Sequence, residues 1–435
     1  MLKTLQNAWK IPEIRNKLIF TLIIIVLYRI GCAIPVPFIN APALQNMFAV
    51  TADGSILQYM NIISGDALSK ATLFALSISP YITASIVMQL LAIAIPALER
   101  LQKEGEEGRK KINQITRYLT VILGVITGIG YYIYLKSYDL LLLQTKSGLF
   151  EAIVIVACYS AGASLIMWLG EKVNENGVGN GISIILFANI VASLPASFSG
   201  IPMMMKDNAL KGIIVGAVVI VIFVAIIAFV VFMTNSERRL PVQYAKKQVG
   251  RKMYGGQSTN LPLKLNMSGV MPIIFASSIV SIPTTILMFF PNKNAFWAGF
   301  ERVFAYTGPL YSALLFILII AFSYFYLAIS FNPTEVANNL KRNGGFIPGI
   351  RPGKPTVDYI TKSLNRITLI GAFFLGIIAI IPFILNAVFT AAGWGSLGAM
   401  AFGGTSLLII VGVALETVRE IEAQITMRHY KGFLG

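Results

Sequence analysis

Residues 212–234 read Gly-Ile-Ile-Val-Gly-Ala-Val-Val-Ile-Val-Ile-Phe-Val-Ala-Ile-Ile-Ala-Phe-Val-Val-Phe-Met-Thr, 23 positions without one charge. A helix crossing the hydrocarbon core of a bilayer needs about 20 mostly apolar residues. This stretch therefore reads as a membrane span. Similar runs begin near Leu18, Thr72, Tyr118, Gly148, Gly179, Ser268, Pro309, Ile367 and Gly403, which makes ten spans. Composition agrees: 56% of the 435 residues are hydrophobic and 12% charged, with mean hydropathy +0.73. Soluble domains carry roughly 25% charged residues. The expected fold class is an all-α polytopic membrane protein, and a secreted globular enzyme or a cytosolic dinucleotide-binding fold is excluded.

The charge distribution orients the spans. Of 35 Lys and Arg, 27 fall before span 1, after span 10 or in the even-to-odd connections. The positive-inside rule then puts both termini in the cytoplasm. The net charge of +16 is mostly this topology signal rather than a nucleic-acid footprint. Met1–Lys17 followed by an apolar run could pass for a signal peptide. It lacks an A-x-A-type cleavage site and is interrupted by Arg29, so a retained first helix is expected. Two cytoplasmic connections, residues 235–267 and 331–366, are longer and more basic than orientation requires. They read either as a docking surface or as loops lying on anionic membrane lipid.

Ten spans divide into an N-terminal half (1–205) and a C-terminal half (206–435). Five spans per half would make the second copy inverted in the membrane. Spans 2 and 7 each carry a proline, Pro80 and Pro272. The connection after span 1 holds a short apolar segment, residues 55–64, too short to cross a bilayer. Such segments survive at membrane depth inside a protein-lined cavity, the first hint of a pore. Spans 2 and 7 are also rich in hydroxyls, which read as helix packing or as a contact built to open.

The chemistry of catalysis is missing. His429 is the only histidine, and Cys32 and Cys158 stand apart, so no metal cluster or base-assisted nucleophile is expected. Gly177-Val-Gly-Asn-Gly181 lacks dinucleotide-motif spacing, and Gly353-Lys354 lacks P-loop spacing. No cofactor, no nucleotide site and no enzymatic activity are expected. A ten-span secondary transporter of a small solute is the alternative, but the span interiors lack the carboxylates such coupling uses. Arg29, with Asp66 as a candidate partner, is the one charge left inside span 1.

Several stretches carry a resemblance. They are Asn61-Ile-Ile-Ser-Gly-Asp-Ala-Leu-Ser-Lys70, Phe74-Ala-Leu-Ser-Ile-Ser-Pro-Tyr-Ile-Thr-Ala-Ser85 and Gly177-Val-Gly-Asn-Gly-Ile-Ser183. Further on stand Gln257-Ser-Thr-Asn-Leu-Pro-Leu-Lys264, Phe275-Ala-Ser-Ser278, Phe331-Asn-Pro-Thr-Glu335, Phe346-Ile-Pro-Gly-Ile-Arg-Pro-Gly353 and Gly403-Gly-Thr-Ser-Leu-Leu408. In this order, from first span to last, they resemble the SecY family of bacterial protein-conducting channels.

The resemblance implies two inverted five-helix halves around a central pore in the bacterial cytoplasmic membrane. It implies translocation of secretory polypeptides and lateral release of transmembrane segments, driven by an external motor or ribosome. An aliphatic pore ring is expected at Ile78, Ile82, Ile182, Leu186, Ile274 and Ile409. A plug is expected at residues 55–64, with Ile56, Leu57, Met60, Ile62 and Ile63. The lateral gate is expected around Thr83, Ser85, Gln89, Ser277, Ser278 and Ser281. Partner docking falls to Arg251, Lys252 and Arg351, with contacts to ribosomal RNA through the basic loops. Partners implied are SecE, SecG, the SecA ATPase, the ribosome and signal-sequence-bearing polypeptides. An apolar ring suits such a task, since it resists water and ions by dewetting and makes no sequence-specific bonds.

Overall fold

The computed structural model describes residues 2–50, 56–142, 148–198, 209–244, 247–249, 252–254, 258–287, 289–290, 295–303, 308–391 and 404–431. Among these, ten helices correspond one for one to the ten expected spans. In the first half they are α2 (Pro12–Gly31), α5 (Ser79–Ala94), α7 (Glu106–Ser137), α8 (Leu149–Asn176) and α9 (Gly181–Phe198). In the second half they are α10 (Ala209–Asn235), α11 (Met271–Leu287), α13 (Pro309–Ser330), α15 (Lys354–Ala391) and α16 (Gly404–Lys431). Shorter helices are α1 (Leu2–Lys10), α3 (Ala41–Val50), α4 (Ile56–Ser64), α6 (Pro96–Lys103), α12 (Ala295–Val303) and α14 (Pro333–Arg342).

Neighbour order repeats between the halves. In the first, α5 packs on α7, α7 on α8 and α8 on α9; in the second, α11 packs on α13, α13 on α15 and α15 on α16. Pro80 and Pro272 each stand second in their helix. There the missing N–H costs no hydrogen bond and the fixed φ suits the first turn. Span 2 starts later than its hydropathy suggests. Residues 65–78 form a chain of turns, and Ile78 is the N-cap of α5 (φ −89°, ψ 0°) rather than a residue of its first turn. At the other end of α5 the chain bends by 101° into α6, with Pro96 opening the new helix.

Length and composition alone mark five helices as membrane spans, or six with the bent α5–α6 pair. Three of those that fail as single helices, α9, α11 and α16, join α5 in lining the central cavity described below. α9 and α11 fall short in length, and α16 carries Glu416, Arg419, Glu420 and Glu422. The wall of a protein-lined cavity tolerates both, because protein rather than lipid meets its inward face. α10, by contrast, has mean hydropathy 3.2 over its span and little of it is buried inside the protein.

The two long basic connections are not separate loops. β1 (Glu237–Tyr244) pairs antiparallel with β4 (Ser258–Lys264), and β5 (Gly345–Phe346), from the other connection, joins the free edge of β1. The resulting order is β4-β1-β5. A small hairpin of β2 (Lys247–Val249) and β3 (Lys252–Tyr254) lies between β1 and β4 in sequence. Leu240, Val242 and Leu263 of the sheet pack with Ala337, Ile347, Ile360 and Leu364 in one buried cluster. Alternation of exposed and buried positions along β1 reflects this one-sided core.

Candidate functional site

A cavity of about 480 Å³, its open mouth included, lies at the centre of the helices. Ile82 of α5, Leu186 of α9, Ile274 of α11 and Ile409 of α16 converge on it from four helices, and Met60 and Ile63 of α4 cover it. Four of the six expected ring residues thus share one cavity with two of the expected plug residues. Ile78 and Ile182 are not in its wall. Ile78 is buried in the adjoining apolar cluster, and Ile182 is half-buried against that cluster. The reason is local: Ile78 caps α5 instead of continuing its face, although Ile82 N–H still donates to the Ile78 carbonyl at 3.1 Å. Ile62 is half-buried; the side chains of Ile56 and Leu57 lie outside the described residues.

The cavity has one polar flank, made of Ser79, Ser277, Ser278 and Ser281. These hydroxyls mostly turn back on their own helix. Ser277 and Ser278 donate to the Ile274 carbonyl at 2.9 and 2.8 Å, and Ser281 to the Ser278 carbonyl at 2.7 Å. Thr83 likewise donates to the Ser79 carbonyl. The flank is therefore polar yet makes few bonds across the seam where α5 packs on α11. One cross-seam bond stands out. Gln89, steadied by Nε2 donating to Ser85 Oγ at 3.2 Å, accepts from the Tyr326 hydroxyl of α13 at 3.1 Å. Tyr326 was not singled out from sequence. Its ring packs against Phe275 and Phe325, so it reads as one more aromatic in an apolar run.

Residues 61–78, which follow the plug, form a buried polar knot. Asn61 Oδ1 accepts from Ser69 N–H at 2.9 Å, and Ser64 Oγ from Leu68 N–H at 3.1 Å. The Tyr131 hydroxyl donates to the Leu68 carbonyl at 2.9 Å. Asn189 Nδ2 donates to Ser77 Oγ at 3.2 Å. The Asp66 carboxylate accepts from Asn61 Nδ2 at 3.0 Å. Burial pushes its pKa up, and the Lys70 and Arg29 charges and the Asn61 bond pull it back. Arg29 does not pair with Asp66 as expected. Its Nη2 donates to the Ala188 carbonyl of α9, because Asp66 is turned into the knot by its positive φ of 66° and held by Asn61.

A second charge missed by sequence reasoning is Glu416. It lies inside α16, which runs on to Lys431. Its Oε1 accepts from Val270 N–H at 3.3 Å, just before α11 begins. One turn on, Arg419 Nη2 donates to the Thr234 carbonyl and to Asn235 Oδ1 at the end of α10. An acid at a helix N-terminus and a base at a helix C-terminus both oppose the helix dipole. Among the docking candidates, Arg351 is exposed ahead of α15, with its carbonyl fixed by Thr356 Oγ1 at 2.9 Å. Lys252 is on the β2–β3 hairpin with its side chain outside the described residues, and Arg251 lies outside them altogether.

With this geometry in view, the comparisons agree. The SecY family model matches residues 72–418. The chain is 46% identical over 444 residues, all of both chains, to the protein translocase subunit SecY of Streptomyces griseus. Three solved structures share the fold. One described as a protein-conducting channel superposes with TM-score 0.66 at 19% identity, covering 94% of this chain and 92% of its own. A SecY whose plug domain is described as stabilising the closed state and maintaining a membrane seal gives 0.64 at 19% identity, with the same coverage. Sec61 in a canine ribosome–channel complex gives 0.61 at 18% identity, also covering 94% and 92%.

Proposed function

The chain belongs to the SecY family, and from that premise we propose how it, a protein-conducting membrane channel, passes a polypeptide. The conduit is the cavity closed by Ile82, Leu186, Ile274 and Ile409, with Met60 and Ile63 of the plug seated on it. That convergence carries the reading. Ile78 and Ile182 join the ring only if α5 and α9 rotate on opening. A signal sequence or transmembrane segment enters between α5 and α11 by displacing the Gln89–Tyr326 bond. The seam is cheap to part because Ser277, Ser278 and Ser281 each donate within their own helix. The plug then leaves and the chain threads an apolar ring that grips no particular sequence.

The halves 1–205 and 206–435 act as the two jaws, supported by their repeated neighbour order. Both termini and the β4-β1-β5 layer face the cytoplasm, as the basic connections require. That layer, with Arg251, Lys252 and Arg351, offers the docking platform for the ribosome or the SecA motor; SecE and SecG complete the channel. The ribosome-bound Sec61 relative supports the first of these. The solute-transporter alternative is set aside by family membership.

The test is photo-crosslinking from Ile274 and, separately, Ile409 to a secretory chain stalled midway, with lipid-facing Ile220 of α10 as control. Adducts at both ring positions and none at Ile220 are expected. No adducts at the ring, with translocation intact, would reject this conduit.

A further inference from the structure

Arg29 is the one charge inside span 1, and neither topology nor the conduit uses it. It lies in the last turn of α2 and is partly buried. Its guanidinium donates to the Ala188 carbonyl in the middle of α9. That carbonyl would normally be occupied by its own helix, so the bond is an addition to the ladder rather than a repair. The same guanidinium lies directly under Gly65. A Cβ built on Gly65 would sit 2.9 Å from Nη1 and 3.1 Å from Nη2. Gly65 follows the last residue of the plug helix α4 and has φ +64°, the left-handed conformation that closes a helix C-terminus. The Asn61 and Ile62 carbonyls at that end accept from Asp66 and Gly65 N–H, and the end carries the negative pole of the helix dipole. The cation therefore stands at the attractive end of the plug while tied to the pore wall.

The surroundings make Gly65 and Asp66 a pivot. Downstream residues 67–78, all but Lys70 and Leu73, are buried and are fixed by the Tyr131 and Asn189 bonds. Upstream, plug residues 60–63 are only half-buried. Ser77 Oγ reaches the Ile63 carbonyl at 3.5 Å, a long bond that yields readily. Two consecutive positive-φ residues, at 64° and 66°, mark where the chain reverses between the two regimes.

We propose that Arg29 is a positioning residue for the plug. By bridging the α9 backbone and the C-terminal end of α4, it holds the plug on the ring and sets how readily it swings about Gly65–Asp66. This rests on the reading of α4 as the seal. The bland account is that Arg29 merely complements the dipole of its own helix. The two accounts separate because only the first makes loss of the Arg29 charge open the seal while the channel stays folded.

The experiment measures chloride efflux from vesicles holding purified channel complex, with translocation of a secretory chain as the check on integrity. Deletion of residues 56–63 reports the plug alone. Arg29→Gln removes the charge; Gly65→Ala puts a methyl group against the guanidinium; Asp66→Asn removes the carboxylate and keeps the Asn61 bond. Arg29→Gln is expected to raise efflux about twofold to thirtyfold, the range for losing a charge at a helix C-terminus, and Gly65→Ala, strained at φ +64° as well as crowded, at least as much. Asp66→Asn is expected to leave efflux near the unaltered level, with translocation retained throughout. Efflux unchanged by Arg29→Gln, but raised by the deletion, would overturn the proposal. So would Asp66→Asn matching Arg29→Gln, which would restore an ion pair as the latch. If Arg29→Gln fails to assemble, Arg29→Met, which keeps the apolar stem without the charge, decides in its place. Efflux unchanged by the deletion would instead defeat the reading of α4 as the seal.

Discussion

Removing the Tyr326 hydroxyl isolates the bond that crosses the lateral seam. Tyr326→Phe keeps the ring, and with it the packing at 5.2 Å from Phe275 and 6.1 Å from Phe325. It deletes only the donor to Gln89 Oε1, 3.1 Å away. Gln89 keeps its other bond, to Ser85 Oγ. Hydrogen bonds between helices in membranes average about 0.6 kcal/mol, and neutral hydrogen bonds in general contribute about 1 kcal/mol. A loss of about 0.6–1 kcal/mol moves the balance between closed and open seam about three- to fivefold. Spin labels at Val87 and Ile282, which face outward on the two seam helices, report the separation. The native Cys32 and Cys158, both free thiols, would be replaced first. Gln89→Met and the double variant complete a cycle. If the bond acts as described, the double variant opens no further than either single one. Additive effects of the two substitutions would mean that Gln89 and Tyr326 act independently and would refute the account of the seam.

Three further outcomes follow from other parts of the structure. Glu416→Ala strips the acceptor from Val270 N–H and should cost about 1 kcal/mol; the check is a lower heat-denaturation midpoint of the solubilised channel. Gly162→Ala places a methyl carbon about 2.0 Å from the Leu73 carbonyl oxygen, so α8 must move off the segment that follows the plug. Overpacking of this kind costs about 1–3 kcal/mol, visible as reduced accumulation in membranes and a lower denaturation midpoint. Arg351→Glu reverses an exposed charge in the connection that supplies β5 to the sheet. It should leave insertion and thermal stability unchanged while lowering motor-driven or ribosome-coupled transport several-fold, measured as precursor protected per unit time.

Where the sequence was legible, a local signal sufficed. The run at 212–234 needs no partner to be read as a span, and the bias of Lys and Arg needs only the topology count. The short segment at residues 55–64 announced a buried, non-spanning element, and α4 occupies Ile56–Ser64. Ile82, Leu186, Ile274 and Ile409 could be named from motifs, yet their convergence on one cavity belongs to the packing of four helices far apart in the chain.

What escaped the sequence was relational. Two loops read separately as basic connections turned out to share a sheet, since β1–β5 pairing joins residues about a hundred positions apart and leaves no local pattern. Arg29 looked like half of an ion pair with Asp66. Its partner is a backbone carbonyl, invisible in a sequence because every residue has one. Tyr326 and Glu416 gained roles only through the helix each one meets. Hydropathy and charge bias depend on solvent, which each residue meets individually, so the sequence alone determined the spans and the orientation they call for. Pore, seam and latch depend on which helices touch, and that is decided only when ten spans bury their surfaces against one another.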